Sequence, residues 1–184
     1  MKNYRKDFRI YLADLARRRP SPGGGSAVCL IFCLGISLME KSINYSIMLK
    51  PKAPKDKSCN KRLKVQLLSL QKLSKKVYPC IDKDSYLFNK IMKVKGKKRL
   101  EVIRESEKLI VELAGACTKV FSLAKGIESG IKNSIISDFN IGLESLRVSL
   151  LGCVFNLEAN SVLFGKKNKN IGIFKKVLKK WQKS

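Results

Sequence analysis

The chain has 184 residues, 45% of them hydrophobic, which suits one folded domain and is too apolar for a disordered chain. Its 39 lysines and arginines outweigh 14 aspartates and glutamates, for a net charge of +25, and it has no histidine. The charge attracts polyanions, and the missing imidazole excludes every catalytic scheme built on it, leaving acid–base work to carboxylates, lysines or bound water.

Of the basic residues 30 are lysine and 9 arginine, a balance that reads as a solvating background more than as a base or phosphate reader. Aromatic residues are not interleaved with the basic ones, so no specific nucleic-acid partner is expected. The six cysteines, Cys29, Cys33, Cys59, Cys80, Cys117 and Cys153, form no C-x-x-C pair. Without histidine a zinc site would need scattered thiolates alone. Free, mostly buried thiols in a reducing cytoplasm are expected instead, with no metal.

In chain order, a first helix is predicted from about Asn3 to Arg19, with Phe8, Tyr11, Leu12 and Leu15 along one side. "RRRPSPGGGSAVCLIFCLGISLM" follows. A secretory signal is excluded by the aspartates in its basic region and by the absence of a cleavage site after Met39. Ala27 to Met39 is too short to span a bilayer, so no membrane is expected. A Walker loop is excluded because G-K-[ST] is missing. A flexible linker would not carry two prolines between strong helices. A tight turn into a buried helix remains, from Ser26 to about Leu49, with Ser26 as N-cap.

"KPKAPKDKSCN" reads as a basic loop. A third helix is predicted over Lys61 to Val77, and helix resumes after Pro79 through "IDKDSYLFNKIM". No proline follows Pro79, which permits a fourth helix over Lys98 to Lys125 with Ile103, Leu109, Ile110, Leu113, Ala116 and Val120 inward. A fifth, Ser137 to about Leu163, carries two stripes. Phe139, Leu143, Leu146, Leu150, Val154 and Leu157 form a core line. Asp138, Gly142, Ser145, Ser149, Gly152, Asn156 and Asn160 form a line small in the middle and polar at its ends, suited to close helix packing or to a flat ligand. The lysine-rich tail, residues 164–184, puts Ile171, Phe174, Leu178 and Trp181 on one face for packing. No segment shows strand alternation, so the chain is expected to be an all-α antiparallel bundle of about five or six long helices in one domain.

Three motifs, taken together, resemble a known family. P-x-P-G-G-G-S is carried by Pro20, Pro22, Gly23, Gly24, Gly25 and Ser26, with Gly35 and Ser46 (in place of a Thr) after it. "DSYLFNKIM" matches D-x-x-A-F through Asp84 and Phe88, with Leu87 in place of Ala. "SDFNIGLESLRVSLLGCVFNLEAN" resembles an S-D-x-x-V-A … N-V-x-x-N segment through Ser137, Asp138, Asn156 and Asn160. In this order, over about residues 4–163, they resemble the cyclodeaminase domain of formiminotransferase-cyclodeaminase and the stand-alone methenyltetrahydrofolate cyclohydrolases.

The resemblance implies an all-α fold, a homodimer, and one-carbon chemistry on a tetrahydrofolate substrate, with or without a polyglutamate tail. Neither reaction needs a metal or redox cofactor. The cyclodeaminase closes 5-formiminotetrahydrofolate to 5,10-methenyltetrahydrofolate and releases ammonia; the cyclohydrolase adds water to the methenyl carbon to give 10-formyltetrahydrofolate. Because the domain stands here without a formiminotransferase, the cyclohydrolase reaction is the first expectation and the cyclodeaminase the alternative. A non-catalytic basic binding protein on the same scaffold is the second alternative. Asp138 is the first candidate for proton transfer, against a role as a helix-start carboxylate; Asp84 is next, against a solvated carboxylate beside Lys83. Gly23, Gly24, Gly25 and Ser26 are candidates to present backbone N–H groups to substrate, or only to turn the chain. Phe88, Ser137, Asn156 and Asn160 complete the candidate substrate contacts. The small stripe of the fifth helix is the expected dimer contact.

Overall fold

The computed structural model describes residues 8–48, 53–165 and 168–181. The described residues are helical, with turns between, and contain no strand. α1 covers Phe8–Leu15, α2 Gly24–Ser46, α3 Pro54–Val77, α4 Cys80–Lys93, α5 Gly96–Glu128, α6 Ile136–Phe164 and α7 Asn170–Trp181, with a 3-10 turn, Asn133–Ile135, leading into α6. The expected fold class holds.

α2 is the axis of the bundle, packed against α3, α4, α5 and α6. Phe32, Ile36, Met39 and Ile43 are wholly buried on its inner face, each contributing about 1.5–3 kcal/mol of burial. On α5 the six inward residues that the periodicity predicts are all buried. By length and composition alone α2, 23 residues long, and the helical stretch 133–164 could cross a membrane, a test that the core helix of a bundle also passes. In the fold, 56% of α2's most apolar stretch and 33% of α6's are buried within the protein.

α2 and α6 lie side by side and antiparallel. Gly24 faces Asn156, Ser149 Oγ donates to the Val28 carbonyl at 2.9 Å, Gly35 faces Gly142, and Lys41 meets Asp138. The backbones nearly touch: the Gly142 carbonyl oxygen is 2.7 Å from where a Cβ on Gly35 would stand, and the reverse distance is also 2.7 Å. Gly152 is packed on the side chain of Val28. The small stripe therefore serves packing within the chain, which corrects its assignment to a dimer contact.

Other boundaries move for local reasons. Helix α3 starts at Pro54, a residue suited to the first turn, and Asp56 accepts the Ala53 N–H at 3.1 Å; most of the expected basic loop, residues 54–60, is thus helix. Its first residues, 50–52, like the predicted start of the first helix at Asn3 and the predicted end of the second at Leu49, lie outside the described residues. α1 ends at Leu15, and of its expected apolar side only Tyr11 is buried; Phe8 and Leu12 are about half exposed. Gly165, at φ +67, ends α6 in the left-handed conformation. The tail packs as expected: Ile171, Phe174 and Leu178 are buried, and Trp181 stacks on Phe121 at 4.8 Å.

Candidate active site at the start of the central helix

The turn before α2 is pinned from several sides. Asp14, buried at 1% exposure, receives Arg17 at 2.9 Å and Arg19 at 3.5 Å, so two of the three consecutive arginines fold back onto α1. Asn89 Nδ2 donates to Ser21 Oγ at 2.7 Å, tying the turn to α4, and the Ser21–Pro22 peptide is cis. Gly23, in an extended conformation, is the N-cap of α2. Ser26 is not the cap: it sits inside the first turn, where its Oγ donates to the Ile81 carbonyl at 2.7 Å and lies 3.2 Å from the Tyr11 hydroxyl. Helical periodicity marks Tyr11 only as an apolar position and carries no signal of that hydroxyl's role.

Asp84, on α4, reaches over this first turn. Its carboxylate fills the space beside Gly25, and the Ser26 N–H donates to it. It caps α2 from another helix, where the free N–H groups and the helix dipole favour negative charge. Burial opposes that preference and prevails, pushing the carboxyl from 3.8 up to about 6, with the Ser26 N–H pulling it down. Asn156, on α6, places its Oδ1 3.0 Å from where a Cβ on Gly24 would be. Gly24 is exposed and Asp84 and Asn156 half-buried, so the cluster opens to solvent. Phe88 lies one turn beyond Asp84, and Asn160 one turn beyond Asn156, both half-buried.

The fold thus gathers Gly24, Gly25, Ser26, Asp84 and Asn156, with Gly23, Phe88 and Asn160 adjoining. Within the chain it does not bring in Asp138 or Ser137. Because α6 runs antiparallel to α2, the start of α6 lies against Lys41, about 24 Å along α2 from Gly25 at 1.5 Å per residue. There Asp138 Oδ2 pairs with Lys41 Nζ at 2.6 Å and holds that lysine above its ordinary value. Ser46, where the resembled family has a Thr, is also at that end: its Oγ accepts the Lys132 N–H at 3.0 Å and donates to the Ser42 carbonyl at 2.7 Å.

All six cysteines are free thiols, and burial pushes Cys33 and Cys117 up to about 12. Among the described residues no group of three or more acidic or cysteine side chains is placed to hold a metal ion.

A sequence profile described as formiminotransferase-cyclodeaminase matches residues 7–170. The chain belongs to the formiminotransferase-cyclodeaminase family. The three motifs that carried the resemblance fall inside the match, and at the start of α2 the first two converge with the Asn156 end of the third. Among solved structures the chain is similar to formiminotetrahydrofolate cyclodeaminase from Thermotoga maritima, with a TM-score of 0.78 and 15% identity over 96% of this chain and 88% of that one. At that identity the likeness shows the fold. No curated protein sequence matches the chain significantly.

Proposed function

We propose that the chain is a tetrahydrofolate one-carbon enzyme working at the tetrahedral carbon between folate nitrogens 5 and 10, and that its reaction is the release of ammonia from 5-formiminotetrahydrofolate. Family membership supports the substrate class, and the printed name of the Thermotoga maritima protein favours the cyclodeaminase over the cyclohydrolase. The observation that carries the chemistry is the Asp84 carboxyl, held at about 6 against the N–H groups of α2.

Ring closure forms a bond from nitrogen 10 to the formimino carbon and breaks the bond from that carbon to the amine. One proton leaves nitrogen 10 and one reaches the departing amine. A carboxyl that titrates near neutral pH can take the first and give the second, so a single group suffices. Asn156 offers an amide for substrate hydrogen bonds, and the glycines at the start of α2 let a flat ring approach the backbone. The substrate is a folate, and no separate cofactor is needed. A cyclohydrolase would use the same carboxyl as base toward water at the same carbon. The reading places the enzyme in the cytoplasm, in keeping with its unpaired thiols.

We further propose a homodimer, through a surface different from the one first expected. On the outer side of the α2–α6 pair Leu34, Tyr45, Ile141, Val148 and Phe155 are 51%, 65%, 56%, 44% and 58% exposed. Antiparallel packing puts both helices' apolar stripes on the same side, and a second copy supplies a matching face.

The deciding experiment gives purified protein 5-formiminotetrahydrofolate and follows ammonia and the absorbance of 5,10-methenyltetrahydrofolate. A parallel assay follows loss of the methenyl compound above its spontaneous hydrolysis. Ammonia release supports the cyclodeaminase and methenyl loss alone the cyclohydrolase. Turnover of neither would leave the non-catalytic reading.

A further inference from the structure

A groove of about 970 Å³ lies between α3 and α5, closed at one end by the first turn of α4. It shares no residue with the Asp84 cluster: Lys83 lines it, but Asp84 does not. Its floor is apolar, formed by Leu73, Val77, Leu109 and Leu113. Gly115, in the α5 wall, leaves the slot open, since a Cβ there would meet nothing within 4 Å.

The rim is basic. Lys76 pairs with Glu112 at 3.0 Å and Lys83 with Glu105 at 2.9 Å, so both glutamates of the lining are already neutralised. Lys72, Lys108 and Lys119 line the same groove and make no ion pair among the described residues. Apolar floor and unmatched positive charge meet in one depression, which is the pattern of a small-ligand site with a few convergent polar groups. A protein partner fits less well. Val77, Leu109 and Leu113 are only 4%, 6% and 2% exposed, whereas a stable protein interface buries about 800 Å² on each side.

We propose that this groove binds a small anion carried on an apolar body, the body in the slot between Gly115 and the half-buried Leu73 and the head on Lys72, Lys108 and Lys119. The site is independent of the folate reading and stands or falls without it. The half-buried Cys80 thiol is part of the lining and reports on occupancy, while Cys59, also half-buried, lies outside it and serves as control.

The test uses the fluorescent anion 1-anilinonaphthalene-8-sulfonate on the full chain, with decanoate, decyl phosphate and decanol as competitors. The expected result is one saturable site, cleared by the two anions and not by decanol at equal concentration; the better anion identifies the head group. Gly115→Phe fills the slot from an open position and should weaken probe binding at least tenfold. Joint Lys72→Gln, Lys108→Gln and Lys119→Gln, all at exposed positions, should do the same and keep the test available if the phenylalanine variant does not fold. Decanoate should slow alkylation of Cys80 by N-ethylmaleimide and leave Cys59 at its usual rate. Unchanged probe affinity in the folded variants, equal competition by decanol, or an unprotected Cys80 would overturn the proposal.

Discussion

Asp84 Oδ2 lies 2.6 Å from the point where Gly25 would carry a Cβ, so the carboxylate and any side chain at position 25 exclude each other. Gly25→Ala is therefore expected to expel Asp84 from the first turn of α2 and to cost about 1–3 kcal/mol of stability. Gly24→Ala meets only Asn156 Oδ1 at 3.0 Å, the tip of a side chain, and should cost less. Urea unfolding of the two variants gives the comparison; equal losses would mean that Asp84 moves aside freely.

Asp84→Asn separates the carboxylate's chemistry from its shape. Asparagine can still accept the Ser26 N–H, so the fold should persist while turnover falls by about 10²–10⁴-fold. Near-normal turnover in a folded variant would remove Asp84 from the mechanism.

The same substitution has a pH signature that needs no substrate. Between pH 3.8 and about 6 the folded chain keeps a proton on Asp84 that the unfolded chain has released. This contribution to stability therefore falls as pH rises through that window, by about 2–3 kcal/mol at most. Relative to wild type, Asp84→Asn should gain stability on going from pH 4 to pH 8. A wild-type-to-variant difference that stays constant across that range would contradict the placement of the carboxyl.

Asp138 is expected to behave differently. Its pair with Lys41, a half-exposed lysine, is screened by solvent and contributes little, so Asp138→Asn should fold normally and, far from Asp84 within the chain, keep its turnover. Kinetics on the purified variant give the answer. Loss of turnover with an intact fold would mean that a second copy brings the start of α6 to the Asp84 cluster.

Val148→Glu with Phe155→Glu puts charge on the exposed face of α6 without touching its packed face, and light scattering should then report monomer where wild type is dimer. Gly152→Leu should instead unfold the chain, because the position is packed on Val28. A folded, still dimeric glutamate variant would place the interface elsewhere.

The core was legible because it is periodic: Phe139, Leu146, Leu150, Val154 and Leu157 recur at helical steps and are all buried. The glycine motif, Asp84 and Asn156 were legible as members of a site from the resemblance. What spacing could not carry was direction. Gly142 and Gly152 look alike whether they admit a neighbouring helix of the same chain or a second copy, and nothing local in Asp138 says that α6 begins at the far end of α2. Ser26 misled for a related reason. The preference for serine at a cap is local, while the Ile81 carbonyl that holds it comes from 55 residues away. The Tyr11 hydroxyl likewise acquires a role only once α1 is folded against α2.

The pairing of α2 with α6 has a consequence during synthesis. Val28 and Ser149, bonded in the finished protein, are 121 residues apart, which a ribosome takes about 6–24 s to span at 5–20 residues per second. For that interval the most apolar helix of the chain has left the ribosome without its main neighbour. Its oily surface is then a substrate for holdase chaperones and a nucleus for aggregation. Yield from a recombinant host should therefore depend on translation speed and temperature more steeply than the stability of the purified protein does.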